Sequence, residues 1–157
     1  MTSKKIIFAA SILFLGGFMI YGSIGKFTAP KTEAYTLVER VSALAADSKT
    51  ESLQKSLYIG GAKQTGYFWE LLGVCELLFG VLLLIPTTRL IAALGLLPIT
   101  LHIFLFHLYL EPDELSELYL TGGLLVSNIL ILTYYKDRLK ELILKPPYDI
   151  KKGLQSS

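Results

Sequence analysis

Four apolar runs of membrane length dominate the chain. They cover roughly Ile6–Ile24, Phe68–Ile85, Leu90–Leu110 and Leu118–Tyr135. Each approaches the roughly 20 residues that a helix needs to cross about 30 Å of hydrocarbon. Lipid offers backbone groups no hydrogen-bond partner, so runs of this kind must be helices. The expected fold is therefore all-α: a polytopic membrane protein built as a bundle of four transmembrane helices. Composition agrees, with 52% hydrophobic and 18% charged residues, against about a quarter charged in soluble domains. The charges collect at 26–63, 111–117 and 136–152 and leave the spans nearly bare. One domain, 1–145, and a tail, 146–157, are expected.

Aromatic residues mark the span ends. Tyr67 and Trp69 open the second, Tyr109 closes the third, and Tyr134 and Tyr135 close the fourth, as interfacial belts do. Orientation follows from the short flanks. Lys4 and Lys5 precede span one, Arg89 ends the turn after span two, and Lys136, Arg138 and Lys140 follow span four. The turn between spans three and four is acidic, with Glu111, Asp113, Glu114 and Glu117. The positive-inside rule then puts both termini and the 86–89 turn in the cytoplasm, and the 25–66 segment outside. Span one lacks a small-x-small site after its apolar stretch, where Lys26-Phe27 stands instead. It is read as a retained helix and not a cleaved signal.

The outer segment, 30–62, carries helical periodicity of its own. From Pro30 onward, Ala34, Leu37, Val38, Val41, Leu44 and Ala45 share one face, and Glu33, Glu39, Arg40 and Asp47 take the rest. This predicts an extracytoplasmic amphipathic helix between spans one and two, lying on the membrane surface or capping the bundle. A weaker helix is expected from Glu51 to Ile59, ending at a Gly60-Gly61 break.

Function is sought where polar groups sit at membrane depth, because an ionisable side chain there is costly. Counting about 1.5 Å per residue from the outer span ends, Glu76 and His102 both lie about 12 Å deep. Thr100 and Asn128 lie slightly deeper, and Glu70 and His107 lie near the outer interface. Two acid–imidazole pairs could therefore form, Glu70 with His107 and Glu76 with His102. Glu70, Gly73, Glu76 and Gly80 fall within an arc of about 120° on span two. Its glycines invite a neighbouring helix, so this arc should face the bundle interior. His102 and His107 are about 140° apart on span three, with Pro98 on the cytoplasmic side of His102.

Glu76 and His102 admit two readings: a hydrogen-bonded pair that fixes helix register, or a proton relay or quinone-type site. Asn128 reads as helix–helix glue or a ligand contact. The single Cys75 forms no redox pair and reads as a small core residue. Two histidines five apart on one helix cannot both ligate one haem, and no di-iron, phosphate-loop or zinc-protease pattern occurs. A net charge of +2 gives no reason to expect nucleic acid.

The end of span one, Gly25-Lys26-Phe27, and the second span, Glu70-Leu71-Leu72-Gly73-Val74-Cys75-Glu76-Leu77-Leu78-Phe79-Gly80, resemble those of the DoxX family of small four-helix membrane proteins. The resemblance covers nearly the whole chain. It implies a four-helix bundle in a bacterial cytoplasmic membrane, similar to the small subunit of thiosulfate:quinone oxidoreductase. It also implies that Lys26, Glu70 and Glu76 are recurring polar positions. The expected role is a quinone-linked or redox-associated membrane subunit, with Tyr21, Trp69 or Phe104 lining a pocket for the headgroup. The cofactor would be quinone, none being covalent, and electrons would come through a protein partner. The alternatives are a membrane scaffold or assembly factor, working through 31–47 and 111–117, and a small transporter acting as a homo-oligomer.

Overall fold

The computed structural model describes residues 3–28, 33–46 and 50–144. The expected helix start at Pro30 and the expected tail lie outside these residues. Seven helices follow in order: α1 (Ser3–Thr28), α2 (Ala34–Ala46), α3 (Thr50–Gln64), α4 (Phe68–Leu84), α5 (Arg89–Leu110), α6 (Leu115–Tyr134) and α7 (Lys136–Leu144). The all-helical expectation holds among the described residues. Three helices, α1, α5 and α6, are long and apolar enough to cross a membrane. The 17-residue α4 is equally apolar but shorter, and it joins α3 through an 88° bend.

Helices α1, α4, α5 and α6 pack in a ring. Each packs along two neighbours, and among the described residues the backbones of the diagonal pairs α1–α5 and α4–α6 stay apart, although Arg89 at the start of α5 reaches over the Phe8 ring of α1. Tight turns at 85–88 and 111–114 make consecutive members antiparallel. At the first turn, Arg89 Nε donates to the carbonyl of Leu83 at 3.3 Å, and the Thr88 hydroxyl donates to that of Leu82 at 2.7 Å. A cation and a hydroxyl thus serve carbonyls left open at the C-terminus of α4.

The glycines of α4 set the tightest contact. Gly73, Glu76, Gly80 and Leu83 are its buried residues, the face that the sequence points inward. Its neighbour is α1. A Cβ on Gly80 would stand 3.2 Å from the carbonyl oxygen of Gly16, and a Cβ on Gly16 would stand 3.3 Å from that of Gly80. Small residues on both sides let the backbones approach, which matters in lipid, where packing takes over from the hydrophobic effect.

The buried apolar core comprises Ile12, Leu15 and Met19 of α1, Leu83 of α4, Ala92, Ala93 and Leu96 of α5, and Leu124 and Ile131 of α6. Most of these lie toward the 85–88 end of the ring. The outer surface is apolar too. Leu13 is 68% exposed and Ile91 64%, large side chains that water would not tolerate as a continuous belt.

One expectation about the 30–62 segment needs correction. α3 does not end at Gly60-Gly61 but runs through them to Gln64. Gly60 is a contact point: a Cβ there would collide with the Leu37 side chain of α2. The chain turns at Gly66 instead, whose φ of 75° favours glycine. The first helix is present as α2, with Leu37, Val41 and Leu44 half-buried, and it packs on α3 alone. α7 was not foreseen as a helix. Leu139, Leu142 and Ile143 form its apolar arc, and Lys136, Lys140 and Arg138 flank that arc.

Replacing Gly80 with Val should lower stability in detergent by about 1–3 kcal/mol, as overpacking does. Gly17→Val, at a position with nothing within 4 Å, should change it little. A thermal or SDS-titration unfolding series checks the contrast. Equal losses at both positions would mean that α1 and α4 do not meet through Gly16 and Gly80.

Candidate functional site: a cavity beside a buried ion pair

Between the close α1–α4 contacts at Gly80 and Gly73, a charged residue replaces the small ones. Glu76 lies one turn from Gly80 on the same face and is only 2% exposed. A carboxylate at that depth needs a counter-charge. Lys26 supplies it from the end of α1: Nζ donates to Glu76 Oε2 at 2.6 Å. The local geometry explains the reach. The Lys26 Cβ stands beside Gly73, within 3.0 Å of where a Cβ on that glycine would be. Side chains on a helix lean toward its N-terminus, so the lysine stem descends along α4 from the level of Gly73 to that of Glu76, one turn further. The other carboxylate oxygen, Glu76 Oε1, is buried with no hydrogen-bond partner among the described residues.

Beside this pair lies a cavity of about 220 Å³ between α1, α3, α4 and α5. Whole-ligand pockets typically measure about 300–1,000 Å³, so this one suits a head group and not a long tail. Its walls are mostly apolar, with Phe18 from α1, Leu72 from α4, and Ile103 and Phe106 from α5. Polar groups converge on it from four sides: Lys26, Glu76, Trp69, and the Tyr58–His102 contact. Helix α3 closes one side with Tyr58, Ile59 and Ala62. Two polar links tie it to α5 and the residue that caps α5, and the Tyr58 ring packs 5.5 Å from that of Phe106. The Tyr58 hydroxyl meets His102 Nε2, and Lys55 meets Glu111, whose other oxygen is 2.8 Å from His107 Nδ1. Lys63 of α3 also stands over the Trp69 ring, 5.1 Å from its centre, and Lys26 lies 5.5 Å from the same ring.

The sequence-derived candidates divide accordingly. Lys26, Glu76, His102 and His107 share the cavity. The expected pairing of Glu76 with His102 is replaced: Glu76 goes to Lys26, and His102, which is exposed at the rim, goes to Tyr58. His107 meets Glu111 one turn along its own helix. Equal depth brought Glu76 and His102 to one cavity without bringing their side chains together, because His102 points toward α3 and not into the ring. Glu70 is half-buried in the first turn of α4 and is not among the cavity-lining residues.

Asn128 is fully buried and also outside the cavity. In the carboxamide orientation that satisfies its neighbours, it donates to the carbonyl of Ala93 at 3.0 Å and accepts from the amide of Leu97 at 3.0 Å and the hydroxyl of Thr100 at 3.1 Å. It therefore ties α6 to α5 in the turn before Pro98, as helix–helix glue. Of the aromatic residues expected around a headgroup, Trp69 lines the cavity. Tyr21 is 75% exposed on the outside of α1, and Phe104 packs toward Gly122 of α6. Cys75 is only half-buried. The residues that sequence reasoning missed are Tyr58 and Phe106. Tyr58 was hidden in a segment read as surface helix, and Phe106 was one apolar residue among many in span three. Among the described residues, no three His, Cys, Asp or Glu side chains gather closely enough to hold a metal ion.

No protein-family model, curated protein or solved structure matches the chain.

A buried pair that loses one member leaves an unmatched charge, at a cost of about 3–5 kcal/mol. Lys26→Met and Glu76→Leu should each destabilise on that scale, and the double variant should recover much of the loss. Unfolding free energies of the four proteins in one detergent form the cycle that checks it. Additive losses would mean that the two side chains do not interact.

Proposed function

We propose that the chain is a four-span integral membrane protein of a bacterial cytoplasmic membrane, and that its cavity binds the head of a lipid-soluble, quinone-type carrier. In this reading α1, α4, α5 and α6 all span. At about 1.5 Å per residue, the 17 residues of α4 sit at the short end of the roughly 17–25 that suffice. Arg89 and the basic residues of α7 support, by the positive-inside rule, a topology with both termini and the 85–88 turn inside. α2 and α3 then lie on the outer side, with α3 as the cap of the cavity. α7 lies on the inner surface, its apolar arc toward the acyl chains.

The observation that carries the proposal is the combination of an aromatic and aliphatic cavity with a buried carboxylate that has one oxygen unmet. Such a place, a dry pocket with a few converging polar groups, is the default ligand site of an uncharacterised fold. The resemblance to the DoxX family points the same way through Lys26 and Glu76. In this reading Glu76, Lys26, Trp69 and His102 surround the ring, and the tail leaves toward the lipid. The chain supplies binding and orientation, and electrons come through a partner subunit.

A scaffold role is the second reading. It is favoured by α2, which touches α3 alone and exposes Tyr35 and Val38. The acidic turn contributes less to it than its sequence suggests, because Glu111 is bound to Lys55 and His107.

Mass spectrometry of the protein purified from native membranes in mild detergent separates the two. A stoichiometric quinone-type molecule, lost from Glu76→Gln, is the expected outcome. A reproducible protein partner with no small molecule would overturn the ligand-site reading and favour the scaffold.

A further inference from the structure

On the α4 wall of the cavity, two polar atoms are buried with no hydrogen-bond partner among the described residues, and their chemistries are opposite; His107 Nδ1, on the α5 side, is also without a hydrogen bond but lies 2.8 Å from Glu111 Oε2. Glu76 Oε1 is an unmet acceptor and Trp69 Nε1 an unmet donor. Their residues are seven apart on α4, two turns, and therefore on one face about 10 Å apart along the helix. Both residues line the same cavity, and between them lie Leu72, also at the cavity wall, and Gly73, which faces α1. Buried polar groups are normally satisfied, and two exceptions on one wall of one cavity specify what is missing.

The deeper one constrains the ligand most. A carboxylate whose other oxygen already takes the Lys26 ammonium has only lone pairs to offer. A ring carrying carbonyls or ethers alone would set lone pair against lone pair. A ring carrying a hydroxyl would complete the bond. The rest of the wall is apolar, with the rings of Phe18 and Phe106 among aliphatic side chains, which suits a ring more than an extended polar chain.

We infer that the cavity selects an aromatic alcohol, a phenol or hydroquinone, with its hydroxyl donating to Glu76 Oε1, and that it discriminates against the same ring without a hydroxyl. Trp69 Nε1 meets an acceptor nearer the cap. This rests on the reading of the cavity as a ligand site and names the chemical state of its occupant. For a quinone-type carrier, it means that the reduced form is the one held.

The chain has a single tryptophan, Trp69, so its fluorescence reports on this cavity directly. The full-length protein in lipid nanodiscs is titrated with a 4-alkylphenol and with the methyl ether of the same phenol, which matches it in ring and tail. The phenol is expected to bind about tenfold more tightly, the equivalent of one net hydrogen bond. A short-tailed hydroquinone should displace it, and the corresponding quinone only weakly. In Glu76→Gln, checked for an unchanged melting profile, the preference for the phenol should fall to about threefold or less. Equal binding of phenol and ether by the unmodified protein, or equal displacement by quinone and hydroquinone, overturns the donor rule while leaving a ligand site in place. No fluorescence response to any of the four compounds overturns both.

Discussion

A lysine and a glutamate that meet between two apolar helices organise the half of this molecule away from the 85–88 turn. Helices in lipid gain little from hiding apolar surface against one another. What holds α1 to α4 in one register is close backbone packing at Gly16 and Gly80, and one turn away the 2.6 Å contact of Lys26 with Glu76. The two devices need each other. Without small residues at Gly73 and Gly80, the helices could not come close enough for the lysine stem to lie along α4. Without the lysine, Glu76 would be an unmatched charge at a depth where none is tolerated.

The two ends of the ring consequently differ. Toward the 85–88 turn, aliphatic side chains close the centre, and Arg89 and Thr88 finish the end of α4. Asn128 bridges α6 to α5 about midway. Beyond it the polar pair stands at the wall, and the space next to it is left open as the cavity. Helix α3 covers that space from the side. Its hold on α5 is part polar, through Lys55 with Glu111 and Tyr58 with His102, and part aromatic, with the Tyr58 ring 5.5 Å from that of Phe106.

Much of the frame was legible because hydropathy and glycine spacing are local signals. The three long apolar helices and α4 stand within a few residues of the apolar runs, and of the Glu70, Gly73, Glu76 and Gly80 arc expected to face inward, the last three are buried while Glu70 is only half-buried. The partner of Glu76 was not legible from depth. Lys26 lies beyond the apolar run, and only the length and lean of its side chain bring its charge a turn along α4 to Glu76. His102 shows the converse. Its backbone is at the right depth, but its side chain points to α3, and depth says nothing of rotation about the helix. α3 was cut short at Gly60-Gly61 because glycine was read as a break. Here Gly60 makes room for Leu37, and which of the two it does depends on a neighbour that the sequence does not show.

The account stands or falls on the contact between Lys26 and Glu76 in a bilayer. Solid-state NMR of protein labelled with ¹⁵N at the lysine Nζ and ¹³C at the glutamate carboxyls measures it directly, with Lys26→Met and Glu76→Gln assigning the signals. The account predicts one strong ¹⁵N–¹³C dipolar contact that disappears in either variant, with the Lys26 signal protected from exchange with water. A Lys26 signal that behaves like the surface lysines and shows no coupling to Glu76 would contradict it.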